Sequence, residues 1–303
     1  MTDSLKTLVF EKISARAQMV HLRETWKTVA NNNPCPESVQ TLMGQLLAAS
    51  AMLSASLKFE GSLIIQIQGD GPLALIIAEC NSRLGVRGTI KIRDKANIPE
   101  QANFKELVNQ QGKGMCIIVL DPLNRLPGQA PYQGVVPLTG NTLSSALEAY
   151  MHSSEQLETR LVLHADTQCA AGLMIQQMPT FGGNAPEQTF DPDGWNRLQA
   201  LADTLQMNEH LTTPPDELAT RLFWEEKTTV CTDRIPHFEC SCSRNKVGTM
   251  LLNLGPVEIE DILKDTPTID VQCDFCGTAY RFDQTQSRAL FLLDQAHIGQ
   301  PPH

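Results

Sequence analysis

The sequence predicts an α+β fold, with an N-terminal domain of helices and antiparallel sheet, a helical linker and a small C-terminal unit. Three features lead to this prediction. An apolar stripe at helical spacing is followed by short segments in which apolar and polar residues alternate. A run rich in Gly, Pro and acidic residues interrupts the pattern at 181–194, and short amphipathic segments follow it. Hairpins beside helices favour α+β over a doubly wound parallel sheet.

Two helices are predicted near the start of the chain, over 16–30 and from Pro36 onward. Pro36-Glu37-Ser38 is a typical helix start. The residues that follow carry an apolar stripe at helical spacing, formed by Val39, Leu42, Met43, Leu46, Leu47, Leu53 and Leu57. This stripe predicts a long helix with a buried face.

The apolar period changes to two after residue 62, which indicates strands. The segments 63–68 and 73–78 predict a hairpin closed by Gly69-Asp70-Gly71-Pro72. Further predicted strands cover 85–93, 115–121, 132–138, 160–165 and 172–178, with a helix over 143–157. These elements complete the predicted N-terminal domain.

The break at 181–194 predicts a linker, because it lacks any apolar period. Two short helices are predicted beyond it, the second opened by Pro214-Pro215. Isolated helices of this length are marginal in water, so both need a docking surface. Their inward residues are Trp195, Leu198, Ala202, Leu205, Leu218, Leu222 and Phe223. The predicted domains are 1–180, a flexible and helical linker over 181–230, and 231–303.

Four cysteines near the C-terminus have the spacing of a metal site. Cys240 and Cys242 form one close pair, and Cys273 and Cys276 form a second pair thirty residues later. Two such pairs on separate turns can supply four sulfurs to one tetrahedral zinc ion. Gly277 suits a turn whose backbone N–H groups face the sulfurs, and a unit this small needs more than an apolar core. We therefore predict that these four cysteines bind one zinc ion.

The other cysteines are predicted to have different roles. Cys231 and His237 lie just before the cluster and are conceivable substitute ligands, although a solvated or core position is favoured for each. Cys35, Cys80, Cys116 and Cys169 are scattered through the chain. A buried thiol usually acts as a small hydrophobic side chain, and we expect that of these four.

The Cys240-Ser241-Cys242 spacing indicates redox chemistry as well as metal binding. Sulfurs at positions i and i+2 can bond only in a tight ring, and strain makes a disulfide easier to reduce. Arg244 and Lys246 follow at once, and nearby cations favour thiolate. Oxidation of the four sulfurs would remove the metal's ligands, and with them on the order of 10 kcal/mol of folding free energy. The spacing thus predicts a switch that converts oxidation into unfolding.

The composition and the missing motifs exclude several other functions. The formal net charge of -10 argues against a protein that coats nucleic acid. The sequence has no phosphate-binding Gly-x-x-x-x-Gly-Lys motif, no Gly-x-Ser-x-Gly elbow and no His-Glu-x-x-His motif. We therefore expect no enzyme activity and no ATP-driven step. Without a visible signal peptide or membrane span, a cytoplasmic protein is expected.

Two alternatives remain open at this stage. A zinc ribbon that binds nucleic acid would use Arg244, Lys246 and Arg281, although the acidic balance disfavours it. A thiol-disulfide oxidoreductase would use Cys273 and Cys276, although such a motif should follow a strand and open a helix. Here Gly277 and a strand-like stretch follow the second cysteine pair.

The sequence resembles the redox-regulated 33 kDa chaperonin family of heat-shock holdases over nearly its whole length. The most specific match is His237-Phe238-Glu239-Cys240-Ser241-Cys242-Ser243-Arg244, followed by Val271-Gln272-Cys273-Asp274-Phe275-Cys276 and then by Tyr280 and Phe282-Asp283. Supporting matches are residues 68–72, residues 172–179, and Tyr150, Ser154 and Gln156.

The resemblance implies a specific activity and specific site residues. Cys240, Cys242, Cys273 and Cys276 would ligate one zinc ion in a reduced, inactive state. On oxidation, Cys240 would pair with Cys242 and Cys273 with Cys276. Zinc would then be lost, the C-terminal part and linker would unfold, and a homodimer would bind unfolded client proteins without ATP, as part of the stress response.

Overall fold

The computed structural model describes residues 2–125, 130–178 and 191–298. The chain divides into two compact units, Met1–Glu239 and Cys240–His303. Residues 181–190 of the break predicted over 181–194 lie outside the described residues. The α+β class is confirmed, because both units combine helices with mainly antiparallel sheet.

The secondary structure elements are numbered in chain order. The described strands are β1 Ser4–Phe10, β2 Ala15–Leu22, β3 Gly61–Gln68, β4 Leu73–Asn81, β5 Gly85–Ile92, β6 Met115–Pro122, β7 Tyr132–Pro137, β8 Thr159–Ala165, β9 Ala170–Gln177, β10 Thr228–Arg234, β11 His237–Phe238, β12 Thr268–Gln272 and β13 Ala279–Asp283. The described helices are α1 Glu24–Asn32, α2 Glu37–Ser56, α3 Phe104–Val108, α4 Leu143–Ser154, α5 Gly194–Asp203, α6 Met207–Thr212, α7 Pro215–Leu222, α8 Arg244–Leu254, α9 Pro256–Asp265 and α10 Gln284–Ile298.

Two sheets build the first unit. One sheet has the strand order β10-β1-β2-β9-β8 and is antiparallel throughout; we call it the linker sheet. The other has the order β11-β5-β4-β3-β6-β7, with only the β11–β5 pair parallel. The predicted β3–β4 hairpin and the strands β5 to β9 are confirmed within a few residues.

Helix α2 lies between the two sheets and forms the centre of the core. It contacts β2, β8 and β9 of the linker sheet and β3, β4 and β5 of the other sheet. A Cβ atom added to Gly44 would lie 2.6 Å from the Cβ of Ala165, so α2 and β8 approach closely. The sequence predicted one buried face, but α2 is buried on several sides because a sheet lies on each side of it.

The helix predicted over 16–30 is wrong in its first half. Residues 15–22 form β2, which pairs with β1 on one side and β9 on the other. Helix α1 begins only at Glu24, where the Asp3 carboxylate accepts hydrogen bonds from the backbone N–H groups of Arg23, Glu24 and Thr25. Pairing on both edges overrides the local helical pattern, and a carboxylate at the helix start satisfies its free donors.

Helices α5 and α7 cover the face of the linker sheet that points away from α2. Their buried apolar side chains are Leu198, Ala202, Leu218 and Leu222. These residues pack with Leu205 and Phe223 against Ile13, in the turn between β1 and β2, and against the sheet residues Leu8, Phe10, Ala15, Ala17, Met19, Leu173 and Ile175. The linker sheet therefore provides the docking surface that the sequence analysis expected for these short helices. The sequence did not predict helix α6, which lies between α5 and α7 in the chain and packs on β8 and β9.

The second unit is small and has a small core. It contains α8, α9 and α10 with the hairpin β12–β13. Its buried apolar side chains are Leu251, Ile259, Leu263, Ile269 and Phe282. A core of this size rarely supplies more than about 3–5 kcal/mol. Among the described residues, no helix is long and apolar enough to cross a bilayer.

Candidate metal centre

The four predicted cysteines come together in the second unit. The Sγ atoms of Cys240, Cys242, Cys273 and Cys276 all lie within 4.8 Å of one another. The Cys240 and Cys273 sulfurs are 3.7 Å apart, and those of Cys242 and Cys276 are 3.4 Å apart. Four sulfurs bonded to one tetrahedral metal at about 2.3 Å lie about 3.8 Å apart. The cluster therefore has the spacing and the donor chemistry of a metal site.

Two local structures present the sulfurs. Cys240 and Cys242 lie in the segment before α8, and the Ser243 hydroxyl caps that helix by accepting a hydrogen bond from the Lys246 backbone N–H at 3.2 Å. Cys273 and Cys276 lie in the turn between β12 and β13. There the Gly277 N–H donates to the Cys273 carbonyl at 2.8 Å, and Gly277 has a φ of 70°. A left-handed φ of this kind favours glycine.

Hydroxyl groups next to the sulfurs tune their chemistry. The Tyr280 hydroxyl donates to the Cys242 sulfur at 3.1 Å, and this bond raises the pKa of Tyr280 to about 12. Burial raises the pKa of Cys276, but hydrogen bonds from Thr278 and from neighbouring cysteines outweigh it and lower that pKa to about 6. Cys276 is therefore ready to supply a thiolate. The sequence did not predict the contact between Tyr280 and Cys242.

The basic residues near the cluster contact other groups. The Arg244 guanidinium lies over the Phe282 ring at 4.2 Å from its centroid and donates to Gln286. Arg281 forms an ion pair with Asp270 at 2.6 Å. The sequence suggested Arg244 and Lys246 as cations that favour thiolate. In the described structure, the side chains of Tyr280 and Thr278 are hydrogen-bonded to the sulfurs of Cys242 and Cys276, and backbone N–H groups of Phe275 and Cys276 to that of Cys273.

The remaining candidate ligands lie outside the four-sulfur group. The group includes neither Cys231, which is exposed on β10, nor His237, whose Nε2 lies 3.5 Å from the Glu239 carboxylate. Cys80, Cys116 and Cys169 are buried, as predicted, and Cys35 is half-buried. Burial raises the pKa of Cys80 and Cys116 to about 12, and that of Cys35 and Cys169 to about 11. These four thiols are poor nucleophiles.

The surroundings of Cys273 and Cys276 do not match those of an oxidoreductase. A thioredoxin-like Cys-x-x-Cys pair follows a strand and opens a helix within a βαβ unit. Here the pair lies in the turn of an antiparallel hairpin, and the chain continues into β13. The geometry suits a metal knuckle better than a catalytic dithiol.

Comparison with known proteins identifies the family. The family model described as Hsp33 protein matches residues 3–283. A 33 kDa chaperonin of Methylobacillus flagellatus is 39% identical over 295 residues, which covers 97% of this chain and 96% of that protein. This chain belongs to the Hsp33 family. A 33 kDa chaperonin of Cronobacter sakazakii is 38% identical, over 93% of this chain and 92% of the relative.

A solved structure supports the Hsp33 fold. The crystal structure of the 33 kDa chaperonin, a heat shock protein 33 homologue, from Thermotoga maritima superposes with a TM-score of 0.79. It covers 98% of this chain and 100% of its own, at 22% sequence identity. The Hsp33 family consists of heat-shock chaperones and not of enzymes. The resemblance found in the cysteine motif is thereby confirmed over nearly the whole chain.

Proposed function

We propose that this Hsp33 chain is a redox-regulated holdase that binds unfolded proteins without ATP. The observation that carries the proposal is the gathering of Cys240, Cys242, Cys273 and Cys276 in a unit with a small apolar core. In the reduced chain, the four thiolates hold one zinc ion and the chaperone is inactive. Bound zinc contributes on the order of 10 kcal/mol to the folding of small domains. The second unit then depends on its cysteines for stability.

Oxidation of the cysteines is the proposed trigger. Each disulfide forms when two thiols give up two electrons and two protons, and hydrogen peroxide is reduced to water. Thiols that are joined in a disulfide no longer bind the metal as thiolates, so the second unit loses its main source of stability. With typical domain stabilities of about 5–15 kcal/mol, a loss of this size unfolds the unit.

We propose the pairs Cys240 with Cys242 and Cys273 with Cys276 in the oxidised chain. In the folded unit the 3.7 Å and 3.4 Å contacts join cysteines of different pairs. Once the unit unfolds, those partners are separated by more than thirty residues of free chain, whereas partners within each pair stay close. The lower entropy cost of closing a short loop then favours the local pairs.

The linker over 181–230 carries the signal to the client-binding surface. The last strand before the cluster, β11, ends at Phe238, and the second unit begins at Cys240. Unfolding of that unit therefore removes the folded structure that follows the linker and β10–β11 in the chain. Helices α5 and α7 bury an apolar face on the linker sheet, and their release would expose both that face and the sheet. Large exposed apolar patches bind other proteins. Unfolded clients and a second copy of the oxidised chain are the proposed partners, in the cytoplasm.

Suppression of client aggregation tests this function. Light scattering by a heat-unfolded model protein is recorded with the reduced chain and with the chain treated with peroxide at raised temperature, both without ATP. We expect suppression only by the oxidised chain, and its loss after a thiol reductant is added. Equal suppression by both forms, or by neither, would contradict the proposal.

The Tyr280 hydroxyl provides a first prediction about the metal site. Tyr280→Phe removes the hydrogen bond to the Cys242 sulfur and leaves the four ligands in place. Groups that orient metal ligands typically contribute about 10–100-fold to affinity, so we expect a loss of about tenfold in zinc affinity. Competition with a chromophoric chelator measures it. Tyr132→Phe, in the first unit, is the control and should leave zinc affinity unchanged.

A further inference from the structure

Three histidines from distant parts of the first unit meet under helix α6. His21 lies on β2, His164 on β8 and His210 on α6. The Nδ1 atoms of His164 and His210 are 3.0 Å apart, and the ring centroids of His21 and His210 are 6.1 Å apart. His21 is 2% exposed and His210 is 1% exposed. The cluster is therefore part of the interface between α6 and the linker sheet.

The charged groups around the cluster are occupied elsewhere. The Arg23 guanidinium donates to the Leu211 carbonyl at 2.6 Å, and the Asp3 carboxylate accepts backbone N–H groups at the start of α1. Asp166, in the turn between β8 and β9, accepts hydrogen bonds from the backbone N–H groups of Gln168 and Cys169 at 2.7 Å each.

Glu209, also on α6, forms an ion pair with Arg221 of α7 at 3.6 Å. Within the described residues, no carboxylate forms a hydrogen bond or ion pair with these three imidazoles.

The hydrogen bond between His164 and His210 requires that the ring accepting it is neutral. Two ring nitrogens 3.0 Å apart form a good hydrogen bond only when one carries a hydrogen and the other accepts it. If the accepting Nδ1 atom is protonated, two N–H groups point at each other and the hydrogen bond between His164 and His210 is lost. The Nε2 atoms of His21 and His210 are buried without a hydrogen-bond partner in the described chain. Burial lowers the pKa of each ring and outweighs the backbone carbonyls of His210 and Gly172, which favour protonation of His21 and His210. A buried charge without a partner is costly.

The rest of the α6 interface is small. Its buried apolar contact consists of Leu211 against Cys169 and Ala171. A contact of this size is a weak counterweight to the repulsion that charged histidines would create. The hydrogen bond from Arg23 to the Leu211 carbonyl and the ion pair of Glu209 with Arg221 add two polar contacts. Repulsion between protonated rings therefore acts against a small set of contacts.

We propose that His21, His164 and His210 form an acid-sensitive latch, which holds α6 on the linker sheet while the rings are neutral and releases it when they are protonated. The latch rests on the proposed function, because α6 belongs to the linker whose release exposes apolar surface. It would give the chaperone a second input, in which acid loosens the linker without any oxidation of cysteine.

The direction of the pH effect follows from the pKa values. Burial and then the charge of Arg23 lower the pKa of His21 from 6.5 to about 4, and burial also lowers the pKa of His164 and, further, that of His210. The released segment binds more protons than the docked one, so docking is fully stable above pH 6.5 and weakens as the pH falls toward 4. For His21 alone, the docking equilibrium shifts about 30-fold at pH 5.

Hydrogen exchange of the full-length, reduced, zinc-loaded chain tests the latch. Protection factors, corrected for the intrinsic pH dependence of exchange, are compared at pH 7.5 and pH 5 for peptides covering 205–223. We expect a loss of at least about tenfold at pH 5, while peptides from β3 to β5 keep their protection. Peptides over 240–283 and the zinc content report separately on the metal unit.

Variants separate the latch from general acid effects. In His210→Phe, which has the same metal ligands, the loss at pH 5 should be smaller than in the unsubstituted chain, because one of the three titrating rings is gone. If that variant does not fold, His164→Gln removes a titrating ring at a less buried position and should reduce the loss. His152→Gln is the matched control, because His152 is exposed on α4 and paired with Glu158 at 2.7 Å. It should respond to pH as the unsubstituted chain does.

The results distinguish the latch from the redox switch. Equal protection at both pH values in the unsubstituted chain, or the same loss in His210→Phe and His164→Gln, would overturn the latch. Because exchange is measured without client or oxidant, acid loosening would still be seen if peroxide failed to activate the chain. In that case the latch stands as a property of α6 and the redox function fails.

Discussion

Cys273→Ser is expected to lower zinc affinity by about 10²–10³-fold and to unfold the second unit in the absence of oxidant. Structural zinc contributes about 10–16 kcal/mol through four ligands, so one thiolate accounts for roughly a quarter of that. The five buried apolar residues found among the described side chains of this unit cannot replace it. Chelator competition measures the affinity, and hydrogen exchange over 244–291 measures the unfolding.

Cys231→Ser is the matched control for this prediction. Cys231 is exposed on β10 and lies outside the four-sulfur group. Its replacement should leave zinc affinity and protection of the second unit unchanged. A Cys273→Ser chain with normal affinity and full protection over 244–291 would show that the unit is stable without its metal, and oxidation could not then unfold it.

Leu198→Asp is expected to activate the chaperone without oxidation. Leu198 is fully buried on α5, in the cluster that joins the linker helices to Phe10 and Leu173 of the linker sheet. A carboxylate at this position has no partner, and its burial costs several kcal/mol. We expect helices α5 to α7 to undock while the four cysteines stay reduced and zinc-bound. The reduced variant should suppress client aggregation and lose exchange protection over 195–223.

Ala200→Asp introduces the same side chain on the exposed face of the same helix. It should leave the reduced chain inactive, which separates undocking from a change in surface charge. The reduced Leu198→Asp chain could lose exchange protection over 195–223 and still fail to bind clients. That result would show that the docked linker does not cover the client-binding surface.

The four-cysteine cluster could be predicted from the sequence because its signal is local. Cys240 with Cys242, and Cys273 with Cys276, are each fixed by spacing within a short segment, and only the meeting of the two segments depends on the fold. The hydrogen bond from Tyr280 to Cys242 spans 38 residues and depends on how β13 and the segment before α8 pack. No local pattern reports that distance.

The parts of the fold that escaped prediction depend on pairing between distant segments. Residues 15–22 have a helix-like pattern, yet β1 and β9 pair with them on both edges. Strand β10 has mostly exposed residues and is held by pairing with β1, more than 200 residues earlier in the chain. The histidine latch is a similar case, because β2, β8 and α6 bring its three rings together. Each ring on its own resembles an ordinary histidine.

The central claim is that loss of zinc and gain of client binding are one event. The most direct measurement is a peroxide titration of the reduced chain at raised temperature, in which zinc retained and aggregation suppressed are determined on the same samples. We predict that suppression rises in proportion to the zinc lost, without ATP, and that a reductant with added zinc reverses both. Full suppression by samples that retain their zinc, or complete zinc loss without suppression, would contradict the account.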